Sequence, residues 1–82
     1  MLIDQTQNLQ EFQGKLYDQR HGGAFDRGAA DSYYHRPAEP QYYVGDTYMS
    51  VRIVCEPGTT EYQEYMAGYD YNEQSGSFKD WG

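Results

Sequence analysis

Cysteine and histidine are the residues of this chain that could supply a catalytic nucleophile and its base. Cys55 is the single cysteine, and His21 and His35 are the two histidines. Nucleophilic catalysis requires the base within hydrogen-bond distance of the nucleophile, and no local pattern joins these three. Cys55 ends an apolar stretch, where a free cysteine is usually a buried structural residue. A chain of 82 residues is also too short to enclose a pocket of the usual size, so we predict no enzymatic activity.

The same residues form no metal-binding motif. The histidines and the cysteine are separated by 14 residues (21 to 35) and 20 residues (35 to 55), unlike the short ligand spacings of zinc sites. A calcium loop beginning at Asp70 also fails. Its glycine, Gly76, comes one position late, and its twelfth residue is Trp81 instead of glutamate. We therefore expect neither a metal nor another cofactor.

The distribution of charge points to the class of partner. The formal net charge is -7, and residues 56–82 carry -5 of it, from six acidic residues and Lys79. Phosphate backbones are bound by clustered basic side chains, and six scattered basic residues do not favour direct binding of nucleic acid. An acidic protein can instead bind a basic surface of another protein. The alternative is that the charge serves only solubility.

Carboxylates and tyrosines in the second half of the chain are the candidate binding residues. Glu61 and Glu64 share neighbouring helical turns, and Asp70 and Glu73 repeat their spacing. Carboxylates about 5–6 Å apart on a helix resemble phosphates along a nucleic acid, although a solvated helix face gives the same pattern. Tyrosine is enriched at interfaces, although most of the ten could belong to the core. The predicted partner-binding residues are Glu61, Tyr62, Glu64, Asp70, Glu73, Tyr42 and Tyr43.

The elements that position these residues can be predicted from periodicity. Leu9, Phe12 and Leu16 recur at spacings of three and four, which predicts a helix over residues 5–20. Gly14 weakens this prediction, and the first 20 residues could form a helical arm. A second helix is predicted from Phe25 to His35, with small residues that would allow another element to approach closely.

The clearest helix is predicted over residues 59–75. Thr60 and Gln63 have the spacing of a capping box, and Gly76 is a natural stop. Gly68 lies inside this helix, where glycine is unfavourable unless packing requires it. The apolar stripe of this helix comprises Tyr62, Tyr65, Met66 and Tyr69.

Residues from Tyr48 to Cys55 alternate in polarity and form the best strand candidate. Because a lone strand leaves its backbone unsatisfied, we expect residues 41–44 or a second chain to pair with it. Phe78 and Trp81 could fold back onto the core. The predicted fold is a single α+β domain of residues 1–82, with two or three helices packed on a small antiparallel β-hairpin.

Two stretches of the chain form a recognisable pattern. The first is Asp26-Arg27-Gly28-Ala29-Ala30-Asp31-Ser32-Tyr33-Tyr34-His35-Arg36, and the second is Tyr65-Met66-Ala67-Gly68-Tyr69 followed by Asn72-Glu73 and Gly76-Ser77-Phe78-Lys79-Asp80-Trp81. Together they resemble a family of small proteins encoded by bacteriophages and prophages. The resemblance covers roughly residues 22–82 and implies no activity.

A second, fainter pattern consists of Arg27-Gly28, Pro40 and Gly68-Tyr69. These positions are similar to ribosome modulation factor, whose family has an Arg-Gly helix, a proline-containing connection and a second helix with an aromatic residue after glycine. That family is basic and lies against ribosomal RNA, whereas this chain is acidic, so its function is not carried over. A ribosome-associated role would require Arg27, Arg36 and Arg52 to form one basic patch.

These observations predict a non-catalytic protein that binds and inhibits a host macromolecule. A phage-type anti-CRISPR protein or another anti-defence factor is the form we favour. The alternatives are a ribosome-associated modulator and a structural module that pairs with its twin as a homodimer. The sequence has no apolar run long enough to span a membrane and no pattern of a signal peptide. We therefore expect the protein to be located in the host cytoplasm.

Overall fold

The computed structural model describes residues 9–45 and 51–80. In chain order the elements are β1 (Leu9–Phe12), β2 (Lys15–Asp18), α1 (Ala24–Tyr33), β3 (Gln41–Tyr43), β4 (Arg52–Val54) and α2 (Thr60–Ser75). The strands form two separate antiparallel hairpins, β1–β2 and β3–β4. The α+β class and the β3–β4 hairpin are confirmed.

The helix predicted over residues 5–20 is wrong within the described part of the chain, because residues 9–18 form the β1–β2 hairpin. Gln13 and Gly14 both have positive φ, 53° and 81°, as in the two-residue turns that suit tight hairpins. Their turn pairs Phe12 with Lys15 and brings Phe12 and Tyr17 onto the same face of the hairpin. Residues 5–8 lie outside the described residues.

That aromatic face fixes the first hairpin on the helices. Tyr17 stacks on Phe25 with ring centroids 5.1 Å apart, and Phe12 meets Tyr71 edge-on at 5.7 Å. Such pairs stabilise beyond the area that they bury. Leu16, which the helix prediction placed on the apolar face, is instead 60% exposed. Packing against the helices therefore selects the hairpin over a helix here.

Helices α1 and α2 form the centre of the fold and approach each other through glycine. A Cβ atom at Gly28 would collide with the backbone of Tyr65, and one at Gly68 would collide with the backbone of Phe25. Phe25 and Tyr65 are almost completely buried beside this crossing. The close approach of the two helices therefore explains why α1 contains small residues and why glycine occupies position 68 inside α2.

The ends of α2 differ by one residue from the prediction at its start and agree with it at its end. Thr59 is the N-cap, and its hydroxyl oxygen accepts a hydrogen bond from the Tyr62 backbone N–H at 3.2 Å. The predicted capping box at Thr60 is therefore wrong, because the cap lies one position earlier. Gly76 ends the helix with a φ of 72°, a conformation that favours glycine.

Strand β3 is the inner strand of the second hairpin and contacts both helices, whereas β4 packs mainly on β3. The strand predicted from Tyr48 is observed from Arg52, and residues 46–50 lie outside the described residues. Beyond α2, Phe78 stacks on His35 at 5.2 Å, and Lys79 N–H donates to the Tyr33 carbonyl at 2.7 Å. The tail therefore folds back beside the end of α1, but Phe78 is 38% exposed and does not join the core as predicted. Trp81 lies outside the described residues.

Candidate binding site

Three carboxylates meet at a small cleft between the first turn of α2, the end of β2 and strand β3. Asp18, Glu61 and Glu64 line it, together with Tyr42 and Arg20. We call this set of five residues the acidic cleft. Its volume is about 170 Å³, which is below the range of typical small-molecule pockets. A cleft of this size can hold a small group such as the tip of one protein side chain.

Local structure explains why these residues converge. The Thr59 cap fixes the start of α2 and so holds Glu61 and Glu64 on its first two turns. The β1–β2 hairpin ends at Asp18, which pairs with Leu9 across the ladder. Tyr42 belongs to β3, opposite Ile53. Residues distant in sequence thus reach one cleft only because both hairpins pack beside α2.

The cleft is electrostatically unfavourable for the carboxylate of Glu64. Partial burial raises the pKa of Glu64, and the neighbouring charges of Glu61 and Asp18 raise it further, against the lowering effects of Lys15 and Arg20. Ionised Glu64 is therefore less stable here than in water. A cation placed in the cleft would relieve this repulsion.

The thiol of Cys55 is affected by the same negative charges. Cys55 is buried, and burial raises its pKa, as do the charges of Glu61 and Glu64. A raised pKa disfavours the nucleophilic thiolate. Cys55 thus fits the structural role predicted for it.

The arginines of the chain are used inside the fold. Arg20 donates to the backbone carbonyls of Tyr43 at 2.7 Å and Gly45 at 3.2 Å. Arg52 donates through Nε to the side-chain oxygen of Gln41 at 3.3 Å. Both cations therefore bind backbone or amide oxygens within the fold.

Two further arginines converge on one buried carboxylate, that of Asp31. Its Oδ1 accepts from Arg27 Nη2 at 3.5 Å and from Arg36 Nη1 at 3.3 Å. Its Oδ2 accepts from Gln41 Nε2 at 3.2 Å and from the Tyr65 hydroxyl. The Tyr65 hydroxyl in turn accepts from Glu39 N–H at 2.9 Å. We call these groups the Asp31 network; it joins α1, α2, β3 and the connection between α1 and β3.

The sequence analysis did not identify the Asp31 network. Its one visible signal was the Arg27–Asp31 spacing of four residues within α1, which permits an ion pair. Burial and hydrogen bonding to Asp31 raise the pKa of Tyr65 well above that of free tyrosine. The hydroxyl therefore stays protonated as a donor, and the network functions as a structural connection.

The structure divides the predicted binding residues into separate groups. Glu61, Glu64 and Tyr42 line the acidic cleft. Tyr62 and Asp70 line a different, shallower groove of about 260 Å³ between α2 and the β1–β2 turn. Because successive residues of a helix are about 100° apart, Asp70 lies on the side of α2 opposite the cleft.

The last two predicted residues have partners within the fold. Glu73 accepts a hydrogen bond from the hydroxyl of Ser32 at 2.5 Å, which ties α2 to α1. The guanidinium carbon of Arg27 lies 5.9 Å from the ring centroid of Tyr43. The backbone N–H of Tyr43 donates to the Gly22 carbonyl at 2.7 Å. The four helical carboxylates therefore do not form one continuous row.

Comparison with known proteins leaves the geometry as the main guide to function. Neither a family model nor a curated protein nor a solved structure matches the chain. Within residues 9–45 and 51–80, no group of three or more histidine, cysteine or acidic side chains could hold a metal ion. The helices in that part of the chain are too short or too polar to cross a membrane.

Proposed function

We propose that the protein is a non-catalytic binding protein whose acidic cleft takes a basic side chain of a partner macromolecule. The observation that carries the proposal is the convergence of Asp18, Glu61 and Glu64 beside Tyr42. Three carboxylates and one aromatic ring suit a lysine or arginine tip, which gains charge pairing and contact with the ring. The raised pKa of Glu64 supports the same ligand class, because a cation stabilises its ionised form.

The partner that fits this chemistry is a protein with a basic surface. With the arginines held in internal contacts, complementary charge would steer the encounter and set its specificity. Together with the resemblance to phage-encoded proteins, this favours an inhibitor of a host macromolecule in the host cytoplasm. An anti-CRISPR protein or another anti-defence factor is the specific form that we propose. The ribosome-associated alternative is not favoured, since Arg27 is buried and both Arg27 and Arg36 bind Asp31.

The decisive experiment compares charge reversal on the two sides of α2. Tagged wild-type protein, Glu61→Lys/Glu64→Lys and Asp70→Lys would each be used to capture partners from a bacterial lysate at low and high salt. We expect the wild type and the Asp70 variant to retain the same partner at low salt, and the double variant to lose it. Retention of that partner by the double variant would show that the acidic cleft is not the contact surface.

The anti-defence form is tested separately, in cells. A strain with an active CRISPR system would be transformed with a targeted plasmid in the presence of each variant. We expect the wild type and the Asp70 variant to restore transformation, and the Glu61/Glu64 double variant to lose this effect. No restoration by the wild type, across several system types, would remove the CRISPR version and leave the binding proposal to the capture experiment.

A further inference from the structure

The free edge of β4 is a surface that the acidic cleft does not use. Val44, Val51 and Val54 are 58%, 69% and 65% exposed on the second hairpin. Within the described residues this hairpin contains two strands, and two strands alone are marginal in water. An exposed apolar edge of this kind is a template for another strand.

The two edges of the hairpin differ. On the outer side of β3, Tyr43 donates its N–H to Gly22 and its carbonyl accepts from Arg20. On β4, hydrogen bonds from Val44 to Val51 and from Cys55 to Pro40 show which residues face β3. Because the direction of backbone groups alternates along an antiparallel strand, the N–H and C=O groups of Arg52 and Val54 point away from β3. Among the described residues, the β4 edge is therefore the one that is open to a new strand.

We infer that the occupant of this edge is the β4 strand of a second copy of the chain. Charge is the reason for choosing a copy. The molecule carries -7, but residues 41–55 contain one acid, Asp46, and one base, Arg52, and are neutral. Two copies repel each other over most of their surface, and this neutral hairpin is a region where they can meet with less repulsion.

The strand also complements itself. An antiparallel pairing centred on Ile53 places Arg52 opposite the partner's Val54, so the two like charges are not directly opposed. Each outward N–H and C=O group then finds a backbone partner, and the two hairpins become one four-stranded sheet. A closed two-fold pair of this type uses the same patch on both copies. The inference does not depend on the acidic cleft.

Matched lysine substitutions test the proposal. Val54→Lys places a charge on the β4 edge. Leu16→Lys places the same charge on the other hairpin, at a residue of similar exposure (60% for Leu16 and 65% for Val54). Sedimentation velocity would be measured up to about 1 mM, since a short edge gives a low-area, weak contact. We expect dimers for the wild type and Leu16→Lys, and at least about tenfold weaker association for Val54→Lys, because edge lysines block strand pairing.

A second variant, Val54→Pro, removes one outward N–H without touching the bonds to β3. It should also be monomeric, and circular dichroism would confirm its fold; if it unfolds, Val54→Lys alone decides. Salt gives a further readout, because the dimer should tighten as salt screens the repulsion, opposite to binding through the acidic cleft. A wild type that stays monomeric throughout, or equal association of the wild type with Val54→Lys, would overturn the inference. So would a Leu16→Lys variant as monomeric as Val54→Lys.

Discussion

Gly68→Ala is the substitution whose effect follows most directly from the crossing of α1 and α2. In an ordinary helix interior this change stabilises by about 1 kcal/mol, since alanine is the better helix former. Here the new Cβ would lie against the carbonyl group of Phe25. Their separation would be far below 3.0 Å, the distance within which real Cβ atoms essentially never approach other heavy atoms. The atoms that it meets belong to the backbone, so no side chain can rotate away. The two helices must separate.

The magnitude can be worked from these two opposing effects. Overpacking a close contact costs about 1–3 kcal/mol, and a backbone collision belongs at the upper end of that range. After subtraction of the gain in helix propensity, the net loss is about 2 kcal/mol. Total stability at this length is about 4–12 kcal/mol. Since about 1 kcal/mol corresponds to 4–8 °C for a domain of this size, Tm should fall by about 8–16 °C.

Thermal and urea unfolding followed by circular dichroism would measure this loss. Gln74→Ala, an exposed position on the same helix, is the control and should change stability by less than about 0.5 kcal/mol. Gly28→Ala should be as harmful as Gly68→Ala, because its Cβ meets the Tyr65 carbonyl. The double variant should lose less than the sum, since one separation of the helices relieves both collisions. A Gly68→Ala protein as stable as the wild type would refute the close crossing.

Three further predictions concern single side chains. Thr59→Ala should lower the free energy of unfolding by about 1 kcal/mol in urea titrations through loss of the N-cap bond, whereas Thr60→Ala, one residue later, should have a smaller effect. The pKa of Glu64 is raised in the folded state, so its ionisation destabilises the fold as pH rises from the unfolded pKa through the folded one. Glu64→Gln should therefore be more stable than the wild type at pH 7, and its free energy of unfolding should change less with pH in this window. Native Cys55 should react with iodoacetamide at pH 8 at least about tenfold more slowly than in urea, since burial and raised pKa both suppress its thiolate, and equal rates would contradict its placement.

The sequence was most informative where periodicity and end signals agreed. The helix over residues 59–75 was predicted from an apolar stripe with a stop at Gly76, and the structure has it at Thr60–Ser75. The first hairpin was missed because Leu9, Phe12 and Leu16 fit one face of a helix, whereas in the hairpin Phe12 lies on the face opposite Leu9 and Leu16. The deciding information was Gly14 together with Tyr17. Glycine after Gln13 permits the positive-φ turn, and the ring of Tyr17 finds Phe25 only in the folded molecule.

The candidate site was predictable in type and not in layout. Glu61 and Glu64 were identified from their spacing, but Asp18 joins them through packing of a hairpin that the periodicity argument had called helical. Helical spacing also shows that Asp70 is rotated away from Glu61 and Glu64. What periodicity cannot show is which carboxylate has an internal partner, as Glu73 has in Ser32.

The Asp31 network has a consequence for how uniquely this sequence folds. A slide of α2 along α1 by one turn, about 5.4 Å, would bring a residue with a side chain to the place of Gly68, where even a Cβ collides with the Phe25 backbone. The same slide would carry the Tyr65 hydroxyl away from Asp31, and a buried carboxylate that loses a donor is unfavourable. The glycine crossing and the Asp31 network therefore favour the same alignment of the two helices, one through steric contact and the other through polar contact.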